Sequence, residues 1–278
     1  MAISRAGSGN VRTRPLPPVI VGLAGLAVVL LAMPVVALLG RAILGGALAA
    51  AAGDRAIVDA LILSLATTTI SLAITVVLGL PLAFVLARRR FRGATVVEAV
   101  VDLPIVLPPS VAGLALLLAF GRRGLFGESF EALGFSLPFT TAAVVAAQVF
   151  VSAPFFIRAA RAGFVAVDGD LEDAARVDGG DEWAVLRRIT VPLAAAGLAS
   201  GLVMSWARAM GEFGATIMFA GNIEGLTQTL PLVVYSEFQS SLDASIAAAA
   251  ILVLAALAVL ISVRLIRWRS VASVGAIA

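Results

Sequence analysis

Leu171-Glu172-Asp173-Ala174-Ala175-Arg176-Val177-Asp178-Gly179-Gly180, running on to Ile189-Thr190-Val191-Pro192, is a charged island in a chain that is otherwise mostly hydrocarbon. Between Arg158 and Arg188 lie 12 of its 37 formal charges, 20 basic and 17 acidic in all. Such a segment does not face lipid, where charge is costly. It belongs in water, and its mixture of charge and small apolar positions suits a docking surface. Leu171, Ala174 and Ala175 fall at i, i+3 and i+4 and share one helix face. Asp168, Asp170, Glu172 and Asp173 crowd the start, where the helix dipole favours negative charge. Gly179-Gly180 then ends the helix, since glycine accepts the left-handed C-cap conformation. A second stretch, Asp181 to Ile189, opens on an N-cap acid and carries Trp183 and Leu186 on one side. Arg187 and Arg188 close it near the bilayer. The expectation is a compact helix–turn–helix projecting from a membrane. By spacing alone, an ordinary amphipathic surface loop explains the same residues.

Composition sets the class around this island. The chain has 278 residues, 61% hydrophobic and 13% charged, which is membrane-protein composition. It has no cysteine, which excludes disulfides, and no histidine, which removes the commonest metal ligand and general base. Every basic residue is arginine. A P-loop needs its lysine, so the chain carries no ATP site of that kind, and ATP-driven work would need another subunit. The arginines flank apolar runs, a pattern of topology rather than of nucleic-acid binding.

Six segments are long enough to cross hydrocarbon, which takes about 20 apolar residues in a helix. They run over Val19–Leu39, Ile57–Ala87, Val97–Phe120, Pro138–Ile157, Val191–Ala220 and Ala244–Leu265. The first follows a polar start, Met1–Pro18, and is too long for a signal-peptide core, so an uncleaved span is expected. With a cytoplasmic N-terminus, 15 arginines fall inside and four (Arg41, Arg55, Arg122, Arg123) outside, which places both termini in the cytoplasm. Arg208 lies within the fifth span. The expected organisation is a tail over 1–18, a membrane domain over 19–267 containing a cytoplasmic loop over 158–190, and a tail over 268–278. The stretches Gly121–Leu137 and Gly221–Asp243 become outer loops.

Two spans carry unusual residues. Pro104, Pro108 and Pro109 interrupt the third. Each removes a backbone donor. Either the helix starts late, with the prolines in its first turn, or a kink shapes a translocation path. In the fifth span Arg208 and Glu212 stand four apart on one face. They form either a structural ion pair or part of a wet path. Gly211 and Gly214 surround Phe213, and glycines permit close approach and bending. Phe213 is therefore a candidate apolar plug. Ser205, Thr216 and Asn222 are candidate weak donors to a solute, though such groups more often serve packing or capping.

The island resembles the cytoplasmic signature of ABC importer membrane subunits: Glu-Ala-Ala, three residues, Gly, nine residues, Ile-x-Leu-Pro. Asp173-Ala174-Ala175, Gly179 and Ile189-Thr190-Val191-Pro192 keep that spacing. Asp173 stands for the Glu, with Glu172 beside it, and Val191 stands for the Leu. Gly211-Glu212-Phe213-Gly214-Ala215-Thr216, Ala220-Gly221-Asn222 and Thr227-Gln228-Thr229-Leu230-Pro231 look like permeases of the molybdate and sulfate group. Leu103-Pro104-Ile105-Val106-Leu107-Pro108-Pro109-Ser110-Val111-Ala112-Gly113 looks like the molybdate branch. The likeness runs from the second span onward and is less diagnostic over the first 55 residues.

This resemblance implies an all-α polytopic membrane protein of the type I permease fold, with six transmembrane helices and a coupling helix between spans four and five. It implies a non-catalytic subunit of a bacterial inner-membrane importer for molybdate, tungstate or sulfate. Its partners would be two ABC ATPase subunits holding ATP and Mg, a second permease copy and an extracytoplasmic oxyanion-binding protein. The chain itself would bind no cofactor or metal. Glu172, Asp173, Ala174, Ala175, Gly179 and Gly180 would couple to the ATPase. Arg208, Glu212, Phe213, Gly214 and Thr216 would form the gate or path. An ion-coupled secondary transporter is the competing reading, but that class usually shows mirrored broken helices, and only the third span carries such a break in the sequence. A receptor or structural scaffold leaves the island, Arg208 and Glu212 without a task.

Overall fold

Backbone polar groups in hydrocarbon must pair within their own segment, so apolar runs of this length become helices. The computed structural model describes residues 17–51, 53–89 and 91–275. Its helices are α1 (Pro18–Leu44), α2 (Ala47–Ala51), α3 (Arg55–Arg88), α4 (Ala94–Val106), α5 (Pro109–Phe120), α6 (Gly127–Ala132) and α7 (Thr141–Val165). There follow α8 (Gly169–Val177), α9 (Glu182–Val185), α10 (Val191–Leu193), α11 (Ala195–Met210), α12 (Gly214–Phe219), α13 (Leu230–Ser240) and α14 (Leu242–Gly275). A π-helical turn, Leu186–Thr190, joins α9 to α10.

Among the described residues, four helices are long and apolar enough to cross a membrane: α1, α3, α7 and the Leu242–Ser262 part of α14. Two bent pairs raise the number to six. One is α4 with α5, at 119°, and the other is Glu182–Leu193 with α11, at 72°.

The bundle is organised around α3, α7 and α11. Ser64, Thr67, Thr68, Ser71, Thr75, Gly79, Ala83 and Leu86 recur every three or four residues along α3 and are buried. Two hydroxyls on this seam bond within the helix. The Thr67 hydroxyl donates to the Leu63 carbonyl at 2.8 Å and that of Ser71 to the Thr68 carbonyl at 2.9 Å. Small residues bring the other two helices together. A Cβ at Gly197 would lie 2.6 Å from the Gly163 Cα, and one at Gly201 would lie 3.1 Å from the Phe156 carbonyl oxygen. Helix α11 therefore runs antiparallel to α7 at backbone contact. Ser152 and Ser205 are sealed in this core, and their hydroxyls lack a hydrogen-bond partner among the described residues. Phe156, Phe164, Ala83 and Ala160 fill the end nearest α8.

Three sequence readings need correction. The third span is not one helix over Val97–Phe120. Helices α4 and α5 each rise only about 20 Å and turn sharply at Leu107-Pro108. Pro108 forces Leu107 into an extended conformation (φ −68°, ψ 133°), and Pro109 opens α5 at a position tolerant of proline. The reading of a helix that merely starts late fails, because α4 is helical before the break.

The fifth span is likewise not continuous over Val191–Ala220. It bends at Ala194, runs as α11, then breaks over 211–213 before α12. The stretch 221–243, expected to be a loop, contains a further helix, α13, whose Leu230, Leu232 and Val233 are buried. Leu230 and Val233 pack against Ala47, Ala51, Ile57, Ala247 and Ala248. Eleven residues are too few for a span, so a search for spans passes over them.

The last helix runs on past its apolar part to Gly275. Most of the N-terminal tail, residues 1–16, lies outside the described residues.

Candidate functional site

The loop between α7 and α11 is built by caps. Asp168 accepts from the Asp170 N–H at 3.1 Å and starts α8. The helix ends at Gly179, whose φ of +88° is the left-handed conformation. The Gly180 N–H bonds the Ala175 carbonyl at 2.9 Å and the Gly179 N–H bonds the Arg176 carbonyl at 3.0 Å. This is a Schellman closure, which satisfies carbonyls the helix leaves open. Asp181 then accepts from the Ala184 N–H at 2.6 Å and caps α9.

On the outside of this knuckle Asp173, Ala174 and Gly179 are exposed, as are Leu171, Val177 and Trp183. A cleft of about 420 Å³ lies between the two helices, lined among others by Ala175, Asp178, Gly180, Asp181 and Ala184.

Arg176 bridges the two helices. It donates to Asp173 at 2.6 Å and to Glu182 at 3.0 Å. The hydrogen bond from Arg176, reinforced by its charge, holds the Glu182 carboxyl below its ordinary value of 4.5. A lowered carboxylate contributes stability above the ordinary value and loses it as pH falls through the shifted one. The pair should therefore persist through neutral pH and dissolve only in acid below 4.5. Glutamate-labelled NMR titration should place the Glu182 midpoint lower in the native chain than in Arg176→Gln.

Glu172 behaves differently from its neighbours. It turns inward, 5% exposed, while Asp173 faces water. One carboxylate oxygen accepts from Arg88 Nη2 at 2.7 Å and from the Thr190 hydroxyl at 2.7 Å. Nearby, Arg161 pairs with Glu98 at 2.8 Å and Arg158 lies 3.7 Å from Asp102, which ties α4 to α7.

The second cluster lies at the end of α11. Arg208 Nη2 donates to Glu212 Oε2 at 2.7 Å, with the arginine 28% and the glutamate 1% exposed. The other oxygen of Glu212 accepts from the Ala215 N–H at 2.7 Å. The carboxylate thus bridges the break, holding the last turn of α11 with one oxygen and the first turn of α12 with the other. Phe213 is half-buried against Tyr235 of α13, ring centroids 5.1 Å apart.

Gly214 meets the other broken span. A Cβ there would fall 2.4 Å from the Pro109 Cβ, and one at Gly113 would fall 2.6 Å from the Met218 Cβ and 2.8 Å from the Ala215 carbonyl oxygen. Helices α5 and α12 are therefore in backbone contact, and the two breaks sit side by side. Thr216 is fully buried, with its hydroxyl unpartnered among the described residues. Two further candidates stand apart from this cluster. Ser205 is inside the three-helix core, and Asn222 is exposed between α12 and α13, donating to the Ser236 hydroxyl at 2.7 Å.

Residues 76–269 match the family described as "Binding-protein-dependent transport system inner membrane component". The chain belongs to that family. It is 44% identical over 204 residues to a molybdenum transport system permease protein of Mycobacterium tuberculosis, covering 73% of this chain and 77% of the relative. The corresponding protein of Escherichia coli K12 is 38% identical over 211 residues, covering 76% and 92%. A probable transport system permease protein of Clostridium pasteurianum is 35% identical over 268 residues, covering 95% and 93%.

Among solved structures, a bacterial ABC transporter involved in alginate import aligns with a TM-score of 0.70 at 15% identity, covering 91% of this permease and 94% of that chain. The MetNI methionine ABC transporter aligns with a TM-score of 0.55 at 19% identity, covering 80% and 96%. The fold of this permease is that of ABC importer membrane subunits.

Several residues of the site escape a reading by sequence. Arg88 reads as one of four arginines marking topology, and Thr190 as the variable position of a motif. Nothing in their spacing announces that both meet Glu172. Pro109 and Gly214 are 105 positions apart, so their contact has no local signal.

Proposed function

We propose that this chain is the permease subunit of an ATP-binding-cassette importer for molybdate or a related tetrahedral oxyanion, tungstate or sulfate. The observation that carries the reading is the capped knuckle of α8 and α9. It is rigid, exposed and placed between two spanning elements, as an element driven by a separate motor requires. In this reading two ATPase subunits bind ATP and Mg, receive Asp173, Ala174, Ala175, Gly179 and Gly180, and supply the energy. A second copy of the permease completes the path, and an extracytoplasmic binding protein delivers the solute. The arginine asymmetry favours both termini, and the knuckle, in the cytoplasm. Family membership supports an inner-membrane setting.

The adjoining breaks are the proposed gate. Arg208 and Glu212 fix the angle of the broken span, Gly214 permits contact with Pro109, and Phe213 and Thr216 line the moving segment. Broken helices at such sites free backbone groups to line a path. Molybdate is favoured among the oxyanions because relatives named for molybdenum transport match the chain at 38–44% identity over about three quarters of its length.

The test is uptake of labelled molybdate, tungstate and sulfate into liposomes holding the permease, its ATPase and its binding protein. ATP-dependent uptake of molybdate that vanishes without the ATPase is expected. Uptake by the permease alone, driven by an ion gradient, would overturn the reading in favour of a secondary transporter.

A further inference from the structure

We infer that Glu172 is a positioning residue that fastens the coupling helix to two membrane spans at once, and that Arg88 and Thr190 are its partners in this clamp. The inference rests on the proposed role of the knuckle as the ATPase-facing element. Among the acidic residues that open α8, Glu172 is buried while Asp168, Asp170 and Asp173 face water. A buried carboxylate must be paired. Its oxygen takes one hydrogen bond from Arg88 and one from Thr190, each at 2.7 Å. Arg88 is the last residue of α3 and also donates to the Val167 carbonyl at 3.3 Å, in the turn before α8. Thr190 ends the π-helical turn that leads into α10 and α11. One oxygen atom therefore joins α8, the end of α3 and the root of the fifth span.

Both spans continue to the break. Along α3 the Thr68 hydroxyl lies 3.7 Å from the Met210 sulfur, and the Gln148 amide donates to Thr68 at 3.4 Å. Met210 is the residue before Gly211, where α11 stops. Displacement of α8 thus reaches the break along α11 directly and along α3 through Thr68. Charge-assisted bonds in a site of low dielectric hold more firmly than surface pairs. The exposed link from Arg176 to Asp173 and Glu182 sets the shape of the knuckle; the Glu172 clamp sets its connection to the spans. Glu172 needs no contact with the ATPase to matter.

The experiment uses the complete importer in liposomes, with ATP hydrolysis and molybdate uptake measured on one preparation. In Glu172→Gln, retention of the ATPase on the permease should match the native complex, while solute carried per ATP hydrolysed falls about tenfold. Thr190→Val removes one hydrogen bond with little change of shape and should lower the same ratio about threefold, with Thr190→Ser restoring it. The double reversal Arg88→Glu with Glu172→Arg should regain part of the ratio lost by either single reversal. Loss of bound ATPase in proportion to lost uptake would instead make Glu172 a contact residue and overturn the proposal. So would an unchanged ratio in both Glu172→Gln and Thr190→Val. If the native complex shows no ATP-driven uptake, the functional reading itself has failed, which is a separate result.

Discussion

Glu212→Ala is expected to destabilise the permease by about 3–5 kcal/mol and to abolish transport. The glutamate is almost fully buried and holds two groups, the Arg208 guanidinium and the Ala215 N–H. Its removal strands a partly buried positive charge and leaves a backbone donor unpaired. It also cuts the tie across the break, so α12 loses its orientation to α11. Thermal unfolding in detergent would register the first effect as a large fall in midpoint.

The double change Arg208→Met with Glu212→Leu separates two roles. Replacing a whole buried pair by apolar residues is often neutral for stability. If the pair only neutralises itself, the double variant recovers both folding and uptake. If the carboxylate orients the gate, folding returns except for the part owed to the Ala215 bond, and uptake does not. We expect the second outcome, because the Ala215 bond is lost in both variants.

Gly179→Val is expected to remove ATP-driven uptake and to reduce the ATPase bound to the purified permease. Gly179 sits at φ +88° and closes α8. A β-branched residue is strained there by about 1–3 kcal/mol, and the turn that sets α9 against α8 reopens. Within the chain a Cβ at this position meets no atom within 4 Å. Bulk is therefore tolerated by the permease itself, and backbone strain is the internal penalty. Asparagine accepts the left-handed region more readily, so Gly179→Asn should keep the turn while adding a side chain to the outer surface. Reduced ATPase retention in Gly179→Asn, with a native melting point, would assign this surface to docking. Native uptake in both variants would remove Gly179 from the coupling surface.

The knuckle was legible because its signals are local. Asp168, Asp181 and Gly179 each act within three residues of themselves, and each takes the cap that its chemistry favours. The spans were legible as apolar length, which marked their places but not their shape. Pro108 and Pro109 marked the break in the third span, whereas its 119° turn and the packing of α5 on α12 have no local signal. The break after Met210 had only glycines to announce it, and glycine serves close packing as readily as it serves a bend. The helix α13 was missed because burial against α2 and α14, rather than periodicity over a span, stabilises it. Glu172 and Asp173 are adjacent and chemically alike. Their opposite fates depend on Arg88 and Thr190, which arrive from 84 and 18 residues away.

The contact of Gly113 and Gly214 with their opposite helices would limit how the proposed gate can operate. Gly214 is seated against the Pro109 ring and Gly113 against Met218 and the Ala215 backbone, so the two pieces have no room for added bulk between them. In the proposed gate they would therefore move as one body rather than one past the other. A bead or methyl group inserted at that seam would act less like a narrower aperture than like a jammed latch.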